Sequence, residues 1–363
     1  METHDSFVHP SFSISGRSYS KETLLEYAHD LSASKASWQV GLGQFFIDWL
    51  DNSFSIEIKT SGTTNGVKTL RVNKSDLIAH AQMSCDFFDL KPQDKIAHVL
   101  SNDFIAAKMI LVRALTRGLD LWCFKPSKSP LDGVSEHFDW VSMVPLQLAH
   151  SLPALSQIKN LLIGGAPMSD DLRNKSIVAA TQHQCQIFIS FGMTETLSHI
   201  AVAAIKENSS PLFKTLPGIS ISVDSKSCLQ IQADYLKEVI TTSDVVELVG
   251  THSFLWLGRS DYTVNSGGIK LQPELIEREF SASFKELFFF YGIQDPMLGE
   301  KLCLVVLASH KEIAITQIHN FVFSSPYYKP KSVLTIPKFC LTNSEKIKRK
   351  ESLSKGYDEH HLS

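Results

Sequence analysis

Long apolar runs, a secretory signal and an excess of basic residues are all missing from this 363-residue sequence. No stretch of about 18 apolar residues occurs, which excludes an ordinary transmembrane helix. The net charge is −3, from 35 basic and 38 acidic residues, and a general nucleic-acid binder would carry a basic excess. Residues 1–10 include Glu2 and Asp5 and no apolar segment, so we expect no secretory signal.

The cysteines are few and scattered. None of the six stands in a C-x-x-C arrangement, and the histidines include no H-E-x-x-H, so neither a zinc site nor a redox pair is expected. Isolated cysteines in a chain of this length usually act as small buried hydrophobes in a reducing compartment. We therefore expect a cytoplasmic protein.

What the sequence does contain is enough apolar material for a folded core. Hydrophobic residues make up 43% of the chain, which excludes global disorder. At roughly 150 residues per domain, the length predicts about two domains.

Short apolar runs alternate with helix-like segments between residues 96 and 190. The strand-like runs are 96–100, 119–124, 140–144, 160–163 and 186–190. This alternation predicts a largely parallel sheet with helices on both faces. Ligands in such sheets bind beyond the carboxyl ends of the strands.

The flanking regions have a different pattern. Strict alternation at 54–59 predicts a strand, and residues 69–72 look like its return strand. Ser75 is a plausible N-cap for the next helix. Turn signals across 211–260 predict a smaller antiparallel sheet. A helix should begin at Pro273, followed by a βαβ-like segment at 287–323.

The polar segment 60–68 is rich in hydroxyl groups and glycine and ends in a lysine. Hydroxyls, free backbone N–H groups and a cation are the groups that wrap a polyphosphate. The segment lacks the G-x-x-x-x-G-K-[ST] spacing, so it is not that type of phosphate loop. Its Asn-Gly pair is also a strong signal for a plain β-hairpin, and both interpretations stay open from the loop alone.

A second polar segment, Phe-Gly-Met-Thr-Glu-Thr at 191–196, follows a predicted strand. Its aromatic ring could stack on a base, and Glu195 could hold Mg²⁺. The alternative is an ordinary helix start, with Thr194 as the N-cap and Glu195 in the first turn.

Three further segments do not indicate a function by themselves. The polar residues at 242–244 and 258–261 are of the kinds that cap turns in any protein. Lys346 opens the basic stretch 346–350, which would ordinarily be a solvated tail.

Taken in order, these segments resemble the adenylate-forming superfamily, which includes acyl-CoA synthetases, non-ribosomal peptide adenylation domains and luciferases. The resemblance covers residues 56–349, and the blocks 191–196 and 258–277 contribute most to it. Segment 60–68 is similar to the family's phosphate loop, and 164–167 to its turn beside adenine. Asp244 matches the acid of its Thr-Gly-Asp motif, Asp261 lies in its hinge motif, and Lys346 stands where its C-terminal catalytic lysine is found.

The sequence departs from the family pattern at three places. Asn65 and Val67 replace a glycine and a proline of the phosphate loop, and Glu345 replaces the glycine before the lysine. Residues 1–59 alone precede the loop, so part of the family's first subdomain is expected to be missing.

Within the superfamily, segments 105–114, 143–148 and 265–270 look like short bacterial o-succinylbenzoate–CoA ligases of menaquinone biosynthesis. That resemblance implies activation of a carboxylic acid as an acyl adenylate, followed by transfer to CoA. Two alternatives stay open: a ligase for another aromatic or fatty acid, and a nucleotide-binding homologue that has lost catalysis.

The resemblance also implies roles for individual residues, with ATP and Mg²⁺ as cofactors and CoA as co-substrate. The implied catalytic residues are Lys346, Thr194 and Glu195, and Glu195 is also the implied metal ligand. The implied nucleotide-contact residues are Thr60, Ser61, Gly62, Thr63, Thr64, Lys68, Gly164, Gly165, Ala166, Pro167, Phe191, Gly192, Met193, Thr194, Asp244, Arg259 and Lys270. Candidates on the substrate side are His98, Lys108 and Ser190, although a histidine in an apolar run is more often a core residue.

The implied fold is the α/β adenylate-forming enzyme fold. It has a large N-terminal domain of helix-covered sheets, here N-terminally shortened, over 1–260. A small mobile α+β domain over 261–363 would rotate about Asp261 between the two reaction steps. The expected partners are small molecules, namely the acid, ATP and CoA.

Overall fold

The structure of the chain, a computed structural model, describes residues 8–59, 69–206, 210–342 and 347–362. Internal contacts divide the chain into two compact units. The first comprises Met1–Ser220 and Gln232–Ile240, and the second comprises Ile221–Ile231 and Thr241–Ser363. Packing does not test where a rotating domain would begin, so the boundary at residue 260 stays a prediction.

The first unit contains the βα alternation. Its helices are α1 (Lys21–Ser32), α2 (Ser37–Leu50), α3 (Lys74–Phe87), α4 (Ile105–Arg117), α5 (Pro145–His150) and α6 (Asp170–His183). Its strands are β1 (Ser13–Ile14), β2 (Arg17–Ser18), β3 (Ser55–Lys59), β4 (Thr69–Asn73), β5 (Lys95–His98), β6 (Asp120–Cys123), β7 (Phe138–Met143), β8 (Ile158–Ile163), β9 (Gln186–Gly192), β10 (His199–Ala204) and β11 (Leu212–Thr215).

The main sheet of this unit has the strand order β11-β10-β9-β8-β7-β5-β6-β1-β2. Neighbouring strands from β9 to β1 in that order are parallel. Strands β2, β10 and β11 are antiparallel to their neighbours, and β3 and β4 form a separate hairpin. The largely parallel sheet predicted for 96–190 is therefore confirmed.

One face of the parallel strands supplies an apolar core, because alternate side chains of a strand point to the same face. Its central members are Ala97, Val99, Val141, Met143, Leu161 and Ile163. Helix α6 begins after Ser169, whose Oγ accepts a hydrogen bond from the N–H of Leu172 at 3.2 Å. No helix in the described part of the chain is long and apolar enough to cross a membrane.

The second unit combines an antiparallel group of strands with a six-stranded sheet. Its strands are β12 (Ser220–Val223), β13 (Cys228–Gln232), β14 (Ile240–Leu248), β15 (Ser253–Arg259), β16 (Val264–Ser266), β17 (Ile269–Leu271), β18 (Phe288–Asp295), β19 (Gly299–Leu307), β20 (Ser332–Ile336) and β21 (Asp358–His361). Its helices are α7 (Pro273–Phe280), α8 (Lys311–Asn320) and α9 (Arg349–Leu353). The predicted helix start at Pro273 is confirmed, and β19, α8 and β20 form a parallel βαβ unit.

One local expectation was wrong, and two features of the fold were not expected. Helix α3 begins at Lys74, so Ser75 lies inside the helix and is not its N-cap. The β1–β2 hairpin was not expected, because each of its strands has only two residues. The pairing of β21 with β20 was not expected either, and there His360 contacts the Thr335 hydroxyl at 3.1 Å.

Candidate active site

The carboxyl ends of β5, β7, β8 and β9 lie at one edge of the first unit's sheet, because these strands are parallel. Predicted site residues end or follow three of them. His98 ends β5, residues 164–167 follow β8, and Ser190 and Gly192 belong to β9. The structure thus gathers these residues at the edge where α/β proteins bind ligands.

Strands β8 and β9 approach each other closely at Gly164. The N–H of Gly164 donates to the Met143 carbonyl at 3.2 Å, and the Ser190 hydroxyl donates to the Ile163 carbonyl at 3.1 Å. A Cβ at position 164 would lie 2.3 Å from Ser190 Oγ, so any side chain there would displace the Ser190 hydroxyl from its bond to Ile163. Because residues 164 and 165 are both glycine, a flat ring could lie directly against their backbone.

The turn that follows β9 is held by one buried hydroxyl. Thr196 is fully buried, and its Oγ1 accepts the N–H of Met193 at 3.1 Å and donates to the Ser198 carbonyl at 2.8 Å. The turn joins β9 to the antiparallel strand β10, so the alternative of a helix start at Thr194 is wrong. A Cβ at Gly192 would lie 2.2 Å from the Ser198 carbonyl oxygen, and only glycine fits this close crossing.

Thr194 and Glu195 stand at the tip of this turn, where Thr194 is half-buried and Glu195 is exposed. Mg²⁺ usually takes one or two protein carboxylates together with phosphate oxygens of a substrate. A single exposed carboxylate beside a hydroxyl fits that mode. Within the ranges that the structure describes, no three His, Cys, Asp or Glu side chains cluster as a metal site.

The aromatic residue of the same segment is held in place from one side. The ring of Phe191 is half-buried and packs edge-to-face against Phe213, with centroids 5.5 Å apart. An aromatic ring fixed in this way can stack on a base with little loss of conformational entropy.

The substrate-side candidates of the first unit differ in character. His98 is 2% exposed, its Nδ1 has no hydrogen-bond partner among the described residues, and burial lowers its pKa to about 4. It is therefore a neutral histidine at the site edge. The ammonium of Lys108 on α4 donates to the carbonyl of Glu57 at 3.2 Å.

A buried polar network behind the turn was not predicted. Arg113 on α4 is 1% exposed; its Nε donates to Ser84 Oγ at 2.9 Å, and Nη2 lies 3.4 Å from His199 Nδ1. Because a guanidinium can only donate, His199 Nδ1 accepts and its proton resides on Nε2. Burial, and then the charge of Arg113, hold the pKa of His199 well below its usual range. His199 opens β10, so the network fixes the strand that follows Glu195; the sequence signal was an arginine within an apolar helix.

The second unit brings Asp244, Arg259 and Asp261 together. Asp244 Oδ1 accepts the indole N–H of Trp256 at 2.8 Å, and its Oδ2 lies 4.0 Å from Arg259 Nη1. Arg259 Nη2 donates to Asp261 Oδ2 at 2.7 Å. Burial alone would lower the pKa of Arg259, but the bond to Asp261 and the charge of Asp244 raise it overall. Arg259 is thus a cation held between two carboxylates.

The remaining predicted residues are either exposed or outside the described residues. Lys270 lies on β17 and is exposed. The predicted residues of the 60–68 loop and Lys346 lie outside the described residues, and their assignments stay predictions.

No protein-family model and no curated protein sequence matches the chain. Solved structures do match. An acyl-CoA synthetase (AMP-forming)/AMP-acid ligase II-like protein from Dyadobacter fermentans is 29% identical, with a TM-score of 0.60 over 93% of this chain and 98% of that one.

Two structures of o-succinylbenzoate CoA synthetase (MenE) from Bacillus subtilis also share the fold. The complex with the acyl-adenylate intermediate is 18% identical, with a TM-score of 0.69 over 84% of this chain and 70% of that one. The complex with ATP and magnesium ion is 16% identical, with a TM-score of 0.67 over 92% of this chain and 82% of that one.

These likenesses cover most of the chain and agree with the motif order. They confirm the expected α/β adenylate-forming enzyme fold. The resemblance to the adenylate-forming superfamily, and to its AMP-forming acyl-CoA synthetases in particular, is thereby confirmed.

Proposed function

We propose that this chain is an AMP-forming acid–CoA ligase, which activates a carboxylic acid with ATP and transfers the acyl group to CoA. The 29% identity to the D. fermentans protein over nearly the whole chain supports this activity. The observation that best supports this activity is the 193–198 turn, which places the Thr194 hydroxyl and the Glu195 carboxylate at the ligand-binding edge of the sheet.

In the first half-reaction, a carboxylate oxygen of the acid attacks the α-phosphorus of ATP. The bond from that phosphorus to the bridging oxygen breaks, and pyrophosphate leaves with the electron pair. Both reactants are anions, so catalysis depends on positioning and on positive charge. Thr194 would donate its hydroxyl to the α-phosphate, and Glu195 would hold Mg²⁺, which neutralises phosphate charge when bound.

Other residues would hold the nucleotide. Phe191 would lie against adenine, beside the bare backbone at 164–165. Asp244 would accept hydrogen bonds from the ribose hydroxyls, with Trp256 fixing the orientation of its carboxylate. Arg259 would add a ribose contact, and segment 60–68 would wrap the phosphates.

Lys346 would supply a mobile point charge for the same half-reaction. In the second half-reaction, the sulfur of CoA attacks the acyl carbon and AMP leaves with the electron pair of the broken acyl–oxygen bond. Rotation about Asp261 would remove Lys346 between the two steps. Lys270 would stay near the phosphate.

We take o-succinylbenzoate as the first acid to test. Segments 105–114, 143–148 and 265–270 support it, because they look like the short bacterial ligases for that acid. His98 is the residue to examine in its pocket, since a neutral buried imidazole with an unpaired nitrogen can accept or donate one hydrogen bond.

The test is acid-dependent exchange of labelled pyrophosphate into ATP by the purified chain. The panel should contain o-succinylbenzoate, benzoate, medium-chain fatty acids and malonate. Exchange with o-succinylbenzoate alone supports the full proposal, and exchange with another acid supports the ligase and corrects its substrate. No exchange with any acid, combined with measurable ATP binding, would favour the homologue that has lost catalysis.

A further inference from the structure

Arg349, the first residue of α9, is buried although it belongs to the basic stretch 346–350. Its side chain is 9% exposed, and Nη2 donates to Glu277 Oε2 at 2.8 Å. Its Nη1 donates to the Phe290 carbonyl at 3.2 Å. The guanidinium carbon lies 4.3 Å from the ring centroid of Tyr262. One side chain thus ties α9 to α7, β18 and the turn at residues 260–262.

Two carboxylates, one helical turn apart on α7, share this guanidinium. Glu274 Oε1 lies 3.7 Å from Arg349 Nη2, and Glu277 Oε1 accepts the N–H of Phe290 at 2.8 Å. Burial raises the pKa of both carboxyl groups, and the charge of Arg349 opposes that rise. A buried carboxylate needs a neighbouring cation to offset the free-energy cost of removing its charge from water. We call Arg349, Glu274, Glu277 and Tyr262 the Arg349 cluster.

The Arg349 cluster touches both ends of the segment 258–262, which contains the expected hinge residue Asp261. A Cβ at Gly258 would lie 2.7 Å from Glu274 Oε2, so the backbone of β15 passes directly beside that carboxylate. Tyr262 follows Asp261 and carries the guanidinium on its ring. The Arg349 cluster therefore meets the chain three residues before Asp261, through Glu274, and immediately after it, through Arg349.

The other end of the connection is the segment that contains Lys346. The N–H of Lys348 donates to the Cys340 carbonyl at 2.8 Å, and Ile347 bridges to Leu341. Lys346 stands three residues before Arg349.

We propose that Arg349 is a positioning residue, which anchors the segment carrying Lys346 to α7 and to the hinge segment 258–262. The inference rests on the proposed function, because that function gives Lys346 its role in acyl adenylation. Arg349 would affect the reaction only through Lys346. Loss of Arg349 should therefore impair adenylation and spare the thioester-forming step, which does not use Lys346.

The test compares Arg349→Lys, Arg349→Gln and the control Lys348→Gln. Arg349→Lys keeps the charge that Glu277 requires but loses the planar fork and the stacking on Tyr262. Lys348 makes an exposed ion pair with Glu351 at 3.0 Å, so it is a matched neighbouring cation outside the cluster. Each variant is assayed for pyrophosphate exchange and for thioester formation from a synthetic acyl adenylate and CoA. Hydrogen exchange of the Lys348 amide is measured in parallel.

We expect Arg349→Lys to lower the adenylation rate about tenfold or more, with thioester formation within about threefold of the unmodified chain. The Lys348 amide should exchange faster in both Arg349 variants than in the unmodified chain. Lys348→Gln should leave both half-reactions within about twofold. If Arg349→Gln does not fold, Arg349→Lys alone decides the matter.

Two results would overturn the inference. One is an equal fall of both half-reactions in a folded Arg349→Lys protein, which would indicate a purely structural role. The other is unchanged adenylation together with unchanged amide exchange. An unmodified chain that exchanges no pyrophosphate with any acid would instead overturn the proposed function and the catalytic part of this inference, while amide exchange would still decide whether Arg349 anchors the segment.

Discussion

Glu195 is exposed at a turn that the buried Thr196 holds. We predict that Glu195→Gln preserves the free energy of unfolding and lowers the rate of pyrophosphate exchange by about 30-fold or more, because an amide is a weaker ligand for Mg²⁺. Glu247→Gln, at an exposed position of β14, is the control and should have normal activity. A Glu195→Gln rate within about threefold of the unmodified chain would remove the metal role.

His98 should make the chain sensitive to acid. Its pKa is lowered to about 4 by burial, whereas in the unfolded chain it returns to about 6.5. Below pH 6.5 the unfolded state therefore binds the proton more strongly, and the stability that His98 contributes is lost as the pH falls from 6.5 toward 4.

The corresponding measurement is urea unfolding of the chain and of His98→Gln at pH 7.5 and pH 5.0. Between these two values the unmodified chain should lose about 2 kcal/mol more than the variant, because glutamine does not titrate. An identical loss in the two proteins would mean that His98 is hydrated or charged in the folded state.

Burial of charged residues is where the sequence was least informative. Arg349 lies in a basic stretch that is typical of a solvated tail, yet its side chain is 9% exposed. The sequence shows that Arg349 is a cation but not that Glu274, Glu277 and Tyr262 converge on it, because these residues are distant in the chain. The motif at 191–196, by contrast, is local, and its position at the end of a strand could be predicted from the apolar run before it.

At the scale of elements, the central strands were predictable because parallel buried strands are continuous apolar runs separated by helices. The β1–β2 hairpin was not, since strands of two residues leave no periodic pattern. For the segment after β9, the sequence left open a nucleotide-binding segment and an ordinary helix start. The antiparallel pairing of β10 with β9 excludes the helix start. That pairing depends on contacts between distant residues, which the sequence does not show.

The β9–β10 crossing gives a prediction at this scale. Gly192→Ala should destabilise the first unit by about 1–3 kcal/mol, because the new methyl group would clash with the Ser198 carbonyl 2.2 Å away. Pyrophosphate exchange should fall as well, since the same crossing positions Thr194 and Glu195. The matched control is Gly41→Ala, in helix α2, where the nearest atom would lie 3.7 Å away and helix propensity favours alanine. Equal unfolding midpoints for the two variants would contradict the close crossing.

At the scale of the whole molecule, the proposed two-step reaction assigns Lys346 to one step only. We predict that Lys346→Ala lowers the adenylation rate by about 10²–10³, the effect of losing a charge-assisted contact, and leaves thioester formation from a synthetic acyl adenylate intact. Lys348→Ala is the control and should retain both activities. If Lys348→Ala is the inactive variant, the motif is misaligned by two residues; if both half-reactions fail in Lys346→Ala, the rotation about Asp261 does not occur as proposed.

The most direct measurement is the fate of ATP labelled at its α-phosphorus in a single turnover with excess enzyme, acid and CoA. We predict that all of the label consumed appears in AMP, and that it accumulates in an acyl adenylate when CoA is withheld. Label recovered in ADP, or consumption of ATP that does not depend on the acid, would contradict the assignment as an AMP-forming acid–CoA ligase.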